Sequence, residues 1–277
     1  MILGKTQELV VKRLAPQGIY VGLKEEAREL DVLLPKKYVP EDTKEDDKII
    51  CFVLKDNDNR LIATTQKPLA EVGEFALLEV VDLTRIGAFL DWGLDKDLLL
   101  PFSEQRGKLK VGDKVFIYVY IDKSQRIAAT MKTDDFFEIP KDIQENDWLE
   151  AMVYSKNRDL GSFVLVEGKY NGLIPRDQEK GAIFLGQKLK VRVENVKPDG
   201  KLDLTMFSRS HEELEKDAHR IYSVVKSNGG FLRVNDYSDP KDIRMLFDIS
   251  KAQFKRSLGR LLKEDLVEFY QDGIRIK

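Results

Sequence analysis

Residues that build redox and metal sites are scarce in this chain. Its 277 residues include one cysteine and two histidines. A disulfide needs two thiols and a tetrahedral metal site needs several Cys or His ligands, so neither is predicted. Cys51 lies in the apolar run Ile49 to Leu54 and is interpreted as a buried thiol. His211 and His219 lie on one predicted helix without a partner at metal-ligand spacing, and we interpret them as surface residues.

Signatures of catalysis are also missing. The sequence has no glycine-rich phosphate loop and no nucleophile elbow. Carboxylates are plentiful, but their spacing singles out no pair for a nuclease metal. We therefore predict a non-enzymatic protein that needs no cofactor and no bound metal.

Long apolar runs and an excess of one charge are absent as well. No segment approaches the ~20 apolar residues of a transmembrane helix, and Met1 to Leu9 lacks the regions of a signal peptide. We expect a cytoplasmic protein that does not enter a membrane. The 46 basic and 48 acidic side chains give a net charge of −2. This balance argues against a protein that coats nucleic acid mainly by charge.

The sequence does contain a motif that occurs three times. In the central copy, Gly87-Ala88-Phe89 opens a short alternating strand, and Leu98 to Pro101 forms the next one. An alternating strand precedes each copy, and a strand that ends in threonine closes it. Three occurrences in one order, at domain-length spacing, indicate tandem repeats. The other copies read Gly18-Ile19-Tyr20 with Leu33-Leu34-Pro35, and Gly161-Ser162-Phe163 with Leu173-Ile174-Pro175.

The repeat predicts a multidomain, mainly β protein that begins with three tandem five-stranded barrels, at residues 1–66, 72–132 and 145–206. The first copy is the most irregular, and its loop Tyr38 to Asp47 carries five acidic residues. Because an acidic loop repels phosphates, we expect this barrel to bind nucleic acid least well. Phe136 and Phe137 in the second linker are expected to pack between barrels, since exposed aromatic pairs are a liability.

Residues 209–277 change to a helical period. Apolar residues from Leu214 to Val225 share one face of a predicted helix. Asp239-Pro240 predicts the start of a second helix, and Ser250 predicts the cap of a third. A hairpin is predicted from Leu266 to Lys277. Three helices and a hairpin predict an α+β winged-helix domain.

Candidate binding residues occupy equivalent places in the barrels. Single strands are bound by aromatic rings on which bases stack, with cations nearby for the phosphates. Phe89 and Phe163 share one strand position, and Arg126 and Lys201 share another on the last strand. A single phenylalanine in a strand is more often a core residue than a base-binding one. Because Phe89 and Phe163 recur with a basic partner, we weigh base stacking and core packing almost equally for them. Two further aromatic residues are predicted to extend the second platform: Trp92 and Phe102.

The third predicted helix is rich in basic residues. In winged helices this helix holds the recognition position, where it meets a phosphate backbone or a groove. The alternative interpretation is a solvated basic face on an ordinary amphipathic helix, and winged helices also dock proteins. The candidate residues are Lys251, Lys255, Arg256 and Arg260.

The Gly87-Ala88-Phe89 and Arg126-Ile127 signatures resemble the S1 RNA-binding repeat, an OB-fold module. Three such repeats followed by a winged helix resemble the bacterial conserved virulence factor B family over essentially the whole chain. The resemblance implies a cytoplasmic RNA-binding protein that influences the expression of other genes. It also implies binding positions at Phe89, Phe163, Arg126 and Lys201.

The chain departs from the S1 pattern at two places in each of the last two copies. Ile86 and Leu160 stand where an aromatic residue is frequent, and Pro101 and Pro175 stand where a histidine is frequent. Each barrel is therefore expected to bind weakly, so that linked modules must act together. Single-stranded RNA is the predicted partner. A transcription regulator that binds duplex DNA through the winged helix and a protein-binding scaffold remain the alternatives.

Overall fold

The computed structural model describes residues 1–25, 27–56, 58–207 and 210–277, with backbone only at 28, 210–213 and 215. It contains two compact units. One comprises Met1–Asp177 with Ala182–Leu204, and the other comprises Gln178–Gly181 with Thr205–Lys277. Three five-stranded barrels, two of them closed and one nearly closed, are followed by a winged-helix region. The predicted fold class is confirmed.

The first barrel is closed, with strand order β1-β2-β3-β5-β4. Its core consists of alternate residues of every strand, including Leu9, Val21 and Leu34, which are fully buried. This alternation is the period of two from which the strands were predicted. The strands are β1 (Thr6–Ala15), β2 (Gly18–Gly22), β3 (Val32–Pro35), β4 (Lys48–Lys55) and β5 (Leu61–Thr64).

The second barrel has the order β10-β9-β6-β7-β8, so it lacks the β8–β10 pairing that would close it. Its second strand begins at Gly87, where a side chain would lie 2.3 Å from the carbonyl oxygen of Leu100. Glycine is therefore required wherever this strand approaches the third so closely. The strands are β6 (Phe75–Leu83), β7 (Gly87–Asp91), β8 (Leu98–Pro101), β9 (Lys114–Ile121) and β10 (Ile127–Thr130).

The third barrel is closed in the same order as the first. A short parallel pairing of Gly172 with Leu202 joins its third and fifth strands, as Leu33 and Ile62 do in the first barrel. The strands are β11 (Trp148–Asn157), β12 (Gly161–Val166), β13 (Tyr170–Pro175), β14 (Lys188–Val196) and β15 (Leu202–Thr205).

A β-bulge lies at the same place in all three barrels. The pairing of the first two strands shifts just after Val11, Val80 and Val153. Each of these valines also receives a backbone hydrogen bond at its carbonyl from a tight turn, whose donors are Asp46, Gly112 and Gly186. A bulge re-aims the residues that follow it. It therefore decides which side chain faces the aromatic residue of the second strand.

The first and second barrels share a core. Phe52 and Leu54 of β4 belong to the same buried cluster as the apolar residues of the second barrel. Phe52 meets Trp92 edge to face, with ring centroids 5.6 Å apart. At the rim, Asp95 accepts hydrogen bonds from Tyr38 Oη (2.8 Å) and Gln66 Nε2 (2.6 Å), and it is also paired with Lys37.

Aromatic rings join the second barrel to the third. Phe137 of the linker stacks on Phe75 at 4.6 Å, and Phe136 stacks on Tyr118 at 4.0 Å. The prediction that the linker phenylalanines pack between barrels is confirmed for Phe137, whose ring centroid also lies 6.1 Å from that of Tyr154 in the third barrel, whereas Phe136 remains 37% exposed. Tyr154, the bulge residue of β11, stacks on Phe116 at 4.1 Å. Burial raises the pKa of Tyr154 to about 12.

The C-terminal unit contains the predicted helices and hairpin, and its short strand β16 was not predicted. The Asp239 side chain accepts a hydrogen bond from the Lys241 backbone, and Ser250 and Gln253 form a capping box, so both helix starts follow from local sequence. No helix in the described part of the chain is both long and apolar enough to cross a membrane. The elements are α1 (Ser210–Ser227), β16 (Phe231–Leu232), α2 (Pro240–Phe247), α3 (Lys251–Lys263), β17 (Val267–Tyr270) and β18 (Gly273–Ile276).

Candidate nucleic-acid interface

The second barrel carries a groove of about 390 Å³, here named the second-barrel groove. Phe89 of β7 and Arg126, just before β10, both line it. The half-buried ring of Phe89 lies among apolar neighbours, while Arg126 is exposed. The structure therefore brings together the aromatic and basic residues that the sequence predicted as one site. Other lining residues of this barrel include Ile86, Trp92, Lys96, Asp97, Leu99 and Ile127.

The third barrel repeats this arrangement in a groove of about 410 Å³, the third-barrel groove. Phe163 and Lys201 line it, in the places that Phe89 and Arg126 hold in the second barrel. Tyr154 also lines the groove, and its ring centroid lies 6.3 Å from that of Phe163. Three equivalent apolar positions recur between the two grooves: Ile86 with Leu160, Leu99 with Leu173, and Ile127 with Leu202.

The basic residue of each barrel follows a turn held by an aspartate. Asp122 accepts hydrogen bonds from the backbone N–H groups of Ser124 (2.8 Å) and Arg126 (2.9 Å). The Arg126 side chain forms no ion pair within the described residues. In the third barrel, by contrast, Lys201 Nζ lies 2.8 Å from Asp199. Arg126 is therefore the more available of the two cations.

The first barrel differs at the same positions. The guanidinium of Arg13 lies 3.6 Å from the ring centroid of Tyr20, the residue equivalent to Phe89. Arg13 pairs with Tyr20 across the bulged strands, where the second barrel has Asp82 and the third has Ser155. Arg60, the counterpart of Arg126, is bound to both Asp56 and Asp58 at 2.7 Å. Both potential binding groups of this barrel are thus engaged within the protein.

Two aromatic predictions for the second barrel have different outcomes. Trp92 borders the second-barrel groove, but it is only 3% exposed and donates a hydrogen bond to the Lys96 carbonyl oxygen at 2.6 Å, so little of its ring is open for stacking. Its place is in the core shared with the first barrel. Phe102 is 60% exposed, but it follows β8 outside the lining of the groove. Its backbone N–H donates to the carbonyl of Ile86 at 3.3 Å.

Acidic groups reduce the positive charge of the second-barrel groove. Asp97 lines it, and its pKa is raised by burial and further by the neighbouring carboxylates of Asp91 and Asp82. Carboxylates repel phosphates but accept hydrogen bonds from base amino groups. The groove is therefore better suited to stacked bases than to a purely electrostatic ligand.

The third helix of the C-terminal unit exposes part of its predicted basic set. Lys255, Arg256 and Lys263 are exposed, and Lys251 is half-buried. Arg260 is not on this open face, because its side chain is only 20% exposed and its Nε donates to Glu264 at 2.8 Å. Ala252 and Gly259 lie between the exposed cations and add no bulk.

A metal site is not evident in the described residues, since no three His, Cys, Asp or Glu side chains there are grouped to hold an ion. His219 is exposed and contacts Ser223, and the side chain of His211 lies outside the described residues. Burial raises the pKa of Cys51 to about 11, which makes its thiol unreactive.

Two sequence models of protein domains match the chain. The model of the S1 domain matches residues 3–66 and 72–132. The model of the CvfB-like winged helix domain matches residues 219–276. Both are nucleic-acid-binding types of domain rather than known enzymes.

Three similar proteins match most of the chain. The protein YitL of Bacillus subtilis is 33% identical over 252 residues, which cover 87% of this chain and 83% of the relative. Conserved virulence factor B of Staphylococcus saprophyticus is 28% identical over 226 residues, covering 78% and 75%. A crystal structure described as a multidomain protein with nucleic acid binding domains, from Streptococcus pneumoniae, is 28% identical with a TM-score of 0.42, covering 99% and 98%. On the domain matches and the sequence identity, the chain belongs to the conserved virulence factor B family.

Proposed function

We propose that this protein is a non-enzymatic, cytoplasmic RNA-binding protein that takes single-stranded RNA in the grooves of its second and third barrels. The observation that carries the proposal is the recurrence of one constellation. An aromatic residue and a basic residue, Phe89 with Arg126 and Phe163 with Lys201, line the same groove in two barrels. Stacking on such rings contributes ~1–3 kcal/mol per base and does not depend on a duplex.

The charge of the chain also favours this ligand. With a net charge of −2, the protein has little long-range attraction for a duplex, whose charge density is high. Stacking supplies affinity without that attraction. A role in regulating gene expression fits RNA binding without catalysis, and the virulence factor name of the staphylococcal relatives is consistent with such a role.

A second candidate is duplex DNA binding through α3. The specific observation in its favour is the exposed face of Lys255, Arg256 and Lys263, with the small residues Ala252 and Gly259 between them. Small residues allow a helix to approach a groove closely. The same face also suits the phosphates of a single strand, so the helix alone does not select between the two ligands.

Titration of the full chain distinguishes the candidates. Labelled single-stranded RNA, single-stranded DNA and duplex DNA of one length are compared between about 50 and 200 mM salt. We expect the tightest binding to single-stranded RNA, with a logarithmic salt slope of about −0.7 per phosphate contacted. Equal or tighter binding to duplex DNA contradicts the proposal and favours the transcription-regulator alternative.

A further inference from the structure

The wall of the second-barrel groove is not built by the second barrel alone. Leu54, Lys55 and Asp56, at the end of strand β4 of the first barrel, line the same groove as Phe89 and Arg126. The first barrel has its own aromatic position covered by Arg13, yet it contributes to the site of its neighbour.

This wall is fixed in place by the shared core. Leu54 is 7% exposed and packs in the cluster that fills the second barrel, two residues beyond the Phe52 ring that meets Trp92. Lys55 is the next residue of β4, is half-buried, and lines the groove beside Leu54. Lys55 is paired in register with Leu61 of β5, which holds its backbone. The backbone that carries Lys55 is therefore held by strand pairing and by the shared core before any ligand arrives.

Lys55 supplies the positive charge of this wall. The neighbouring carboxylate of Asp56 accepts hydrogen bonds from the backbones of Asp58 and Arg60 at 2.9 Å and from Arg60 Nε at 2.8 Å. Its charge is thus compensated within the turn. No carboxylate pairs with Lys55 in the part of the chain that the structure describes. A lysine in the lining of an aromatic-lined groove is suited to a phosphate.

The third-barrel groove has the same composite construction. Arg106 of the second barrel, with Thr133 and Asp134 of the linker, lines it beside Phe163. Arg106 is paired with Asp134, so its charge is partly compensated there. In both grooves, the segment that precedes the barrel in sequence supplies a wall that bears a cation.

We propose that the first barrel serves as part of the second barrel's binding site, in which Lys55 contacts a phosphate of the single strand whose base stacks on Phe89. This inference rests on the proposed function. It assigns the first barrel a role although its own binding position is covered. It also means that the second barrel, separated from the first, lacks part of its site.

The test uses Lys55→Met in the full chain, which keeps most of the apolar length of the side chain and removes its charge. Removal of one phosphate contact to a single strand lowers affinity about fivefold near 0.1 M salt and makes the salt slope shallower by about 0.7. Lys55→Arg keeps the charge and is expected to keep both values. Lys48→Met is the matched control, because Lys48 lies on the same strand roughly 23 Å away, at 3.3 Å per residue.

Binding of labelled oligouridine is measured at several salt concentrations, with Phe89→Ala as a reference. The inference is supported if Lys55→Met shows the fivefold loss and the shallower slope while Lys48→Met and Lys55→Arg do not. It is overturned if wild-type protein binds, Phe89→Ala weakens binding, and Lys55→Met leaves both values unchanged. If wild-type protein binds no single-stranded RNA, the proposed function fails first and this inference falls with it. Melting curves of each variant show whether the fold is retained.

Discussion

The first and second barrels hold the same strand positions and use them in opposite ways. In the first, the ring of Tyr20 is covered by Arg13, and Arg60 is bound by two aspartates. In the second, Phe89 faces Asp82 across the strands and borders a groove with Arg126. An aromatic residue and a base at matching places therefore do not by themselves make a binding site. What matters is whether the protein has already given them partners.

The energies of the two arrangements are comparable in size. A cation over an aromatic ring contributes about 0.5–1 kcal/mol at an exposed site, and a stacked base contributes ~1–3 kcal/mol. Displacement of Arg13 from Tyr20 therefore offsets part of the free energy that a base would gain by stacking on that ring. The acidic loop of this barrel, with its exposed Glu41 and Asp42, adds repulsion of the phosphates.

The largest effect that tests this comparison is expected from removal of the open ring. Phe89→Ala removes a stacking surface worth ~1–3 kcal/mol, so single-stranded RNA affinity should fall between about fivefold and 150-fold. Tyr20→Ala is the matched control and should change affinity less than twofold. Fluorescence titration with labelled oligouridine measures both. Equal losses from the two substitutions would remove the distinction between the barrels.

A smaller loss is expected from the winged helix, and it tests whether the barrels act alone. Lys255→Glu with Arg256→Glu removes two exposed cations from α3, and each lost phosphate contact lowers affinity about fivefold near 0.1 M salt. The expected loss is about 25-fold with an unchanged melting curve. Lys226→Glu with Lys241→Glu changes the net charge equally on other helices and serves as control. An unchanged dissociation constant would assign α3 to another partner.

A gain of function is expected in the first barrel. Arg13→Ser gives this barrel the residue found at position 155 in the third and uncovers Tyr20. Affinity should rise about two- to fivefold, the equivalent of one exposed cation–π contact. Adding Tyr20→Ala should abolish the gain. A loss of affinity in Arg13→Ser would instead show that Arg13 itself contacts RNA.

The smallest effect concerns the contact of Asp95 at the rim of the core that the two barrels share. Hydrogen bonds from Lys37, Gln66 and Tyr38 lower the pKa of Asp95 to about 2. Since the unfolded value is about 3.9, the stabilisation is fully present above that pH and is lost as the pH falls toward 2. Asp95→Asn should therefore lower the melting temperature at neutral pH, and the difference from wild type should shrink below about pH 4. A difference that does not depend on pH would show that the charge of Asp95 is unimportant.

The parts of the fold that depend on local sequence were predictable. Alternating strands, the glycine that opens the second strand, and the helix starts at Asp239-Pro240 and Ser250 all match the structure, because each is fixed by residues a few positions apart. The pairing of Phe89 with Arg126 in one groove was predicted from recurrence. In that case, three copies of one pattern indicated a shared groove that a single copy does not.

Apart from the packing of Phe137 in the linker, the contacts between modules were not predictable from the pattern. Trp92 has an aromatic ring of the kind that stacks on bases, but it is buried against Phe52, which lies 40 residues earlier. Lys55 and Arg106 enter the grooves of neighbouring barrels without a local signal. The bulge that sets Arg13 against Tyr20 shifts the register by one residue, and simple alternation does not reveal it.

Photocrosslinking of bound RNA to its stacked side chains tests the central claim most directly. Single-stranded oligouridine is irradiated with the full wild-type chain, and the modified residues are identified by mass spectrometry. Because crosslinks form where bases lie against side chains, the account predicts modification at Phe89 and Phe163, with little at Tyr20. Equal modification of Tyr20, or crosslinks confined to α3 with none in either groove, would contradict it.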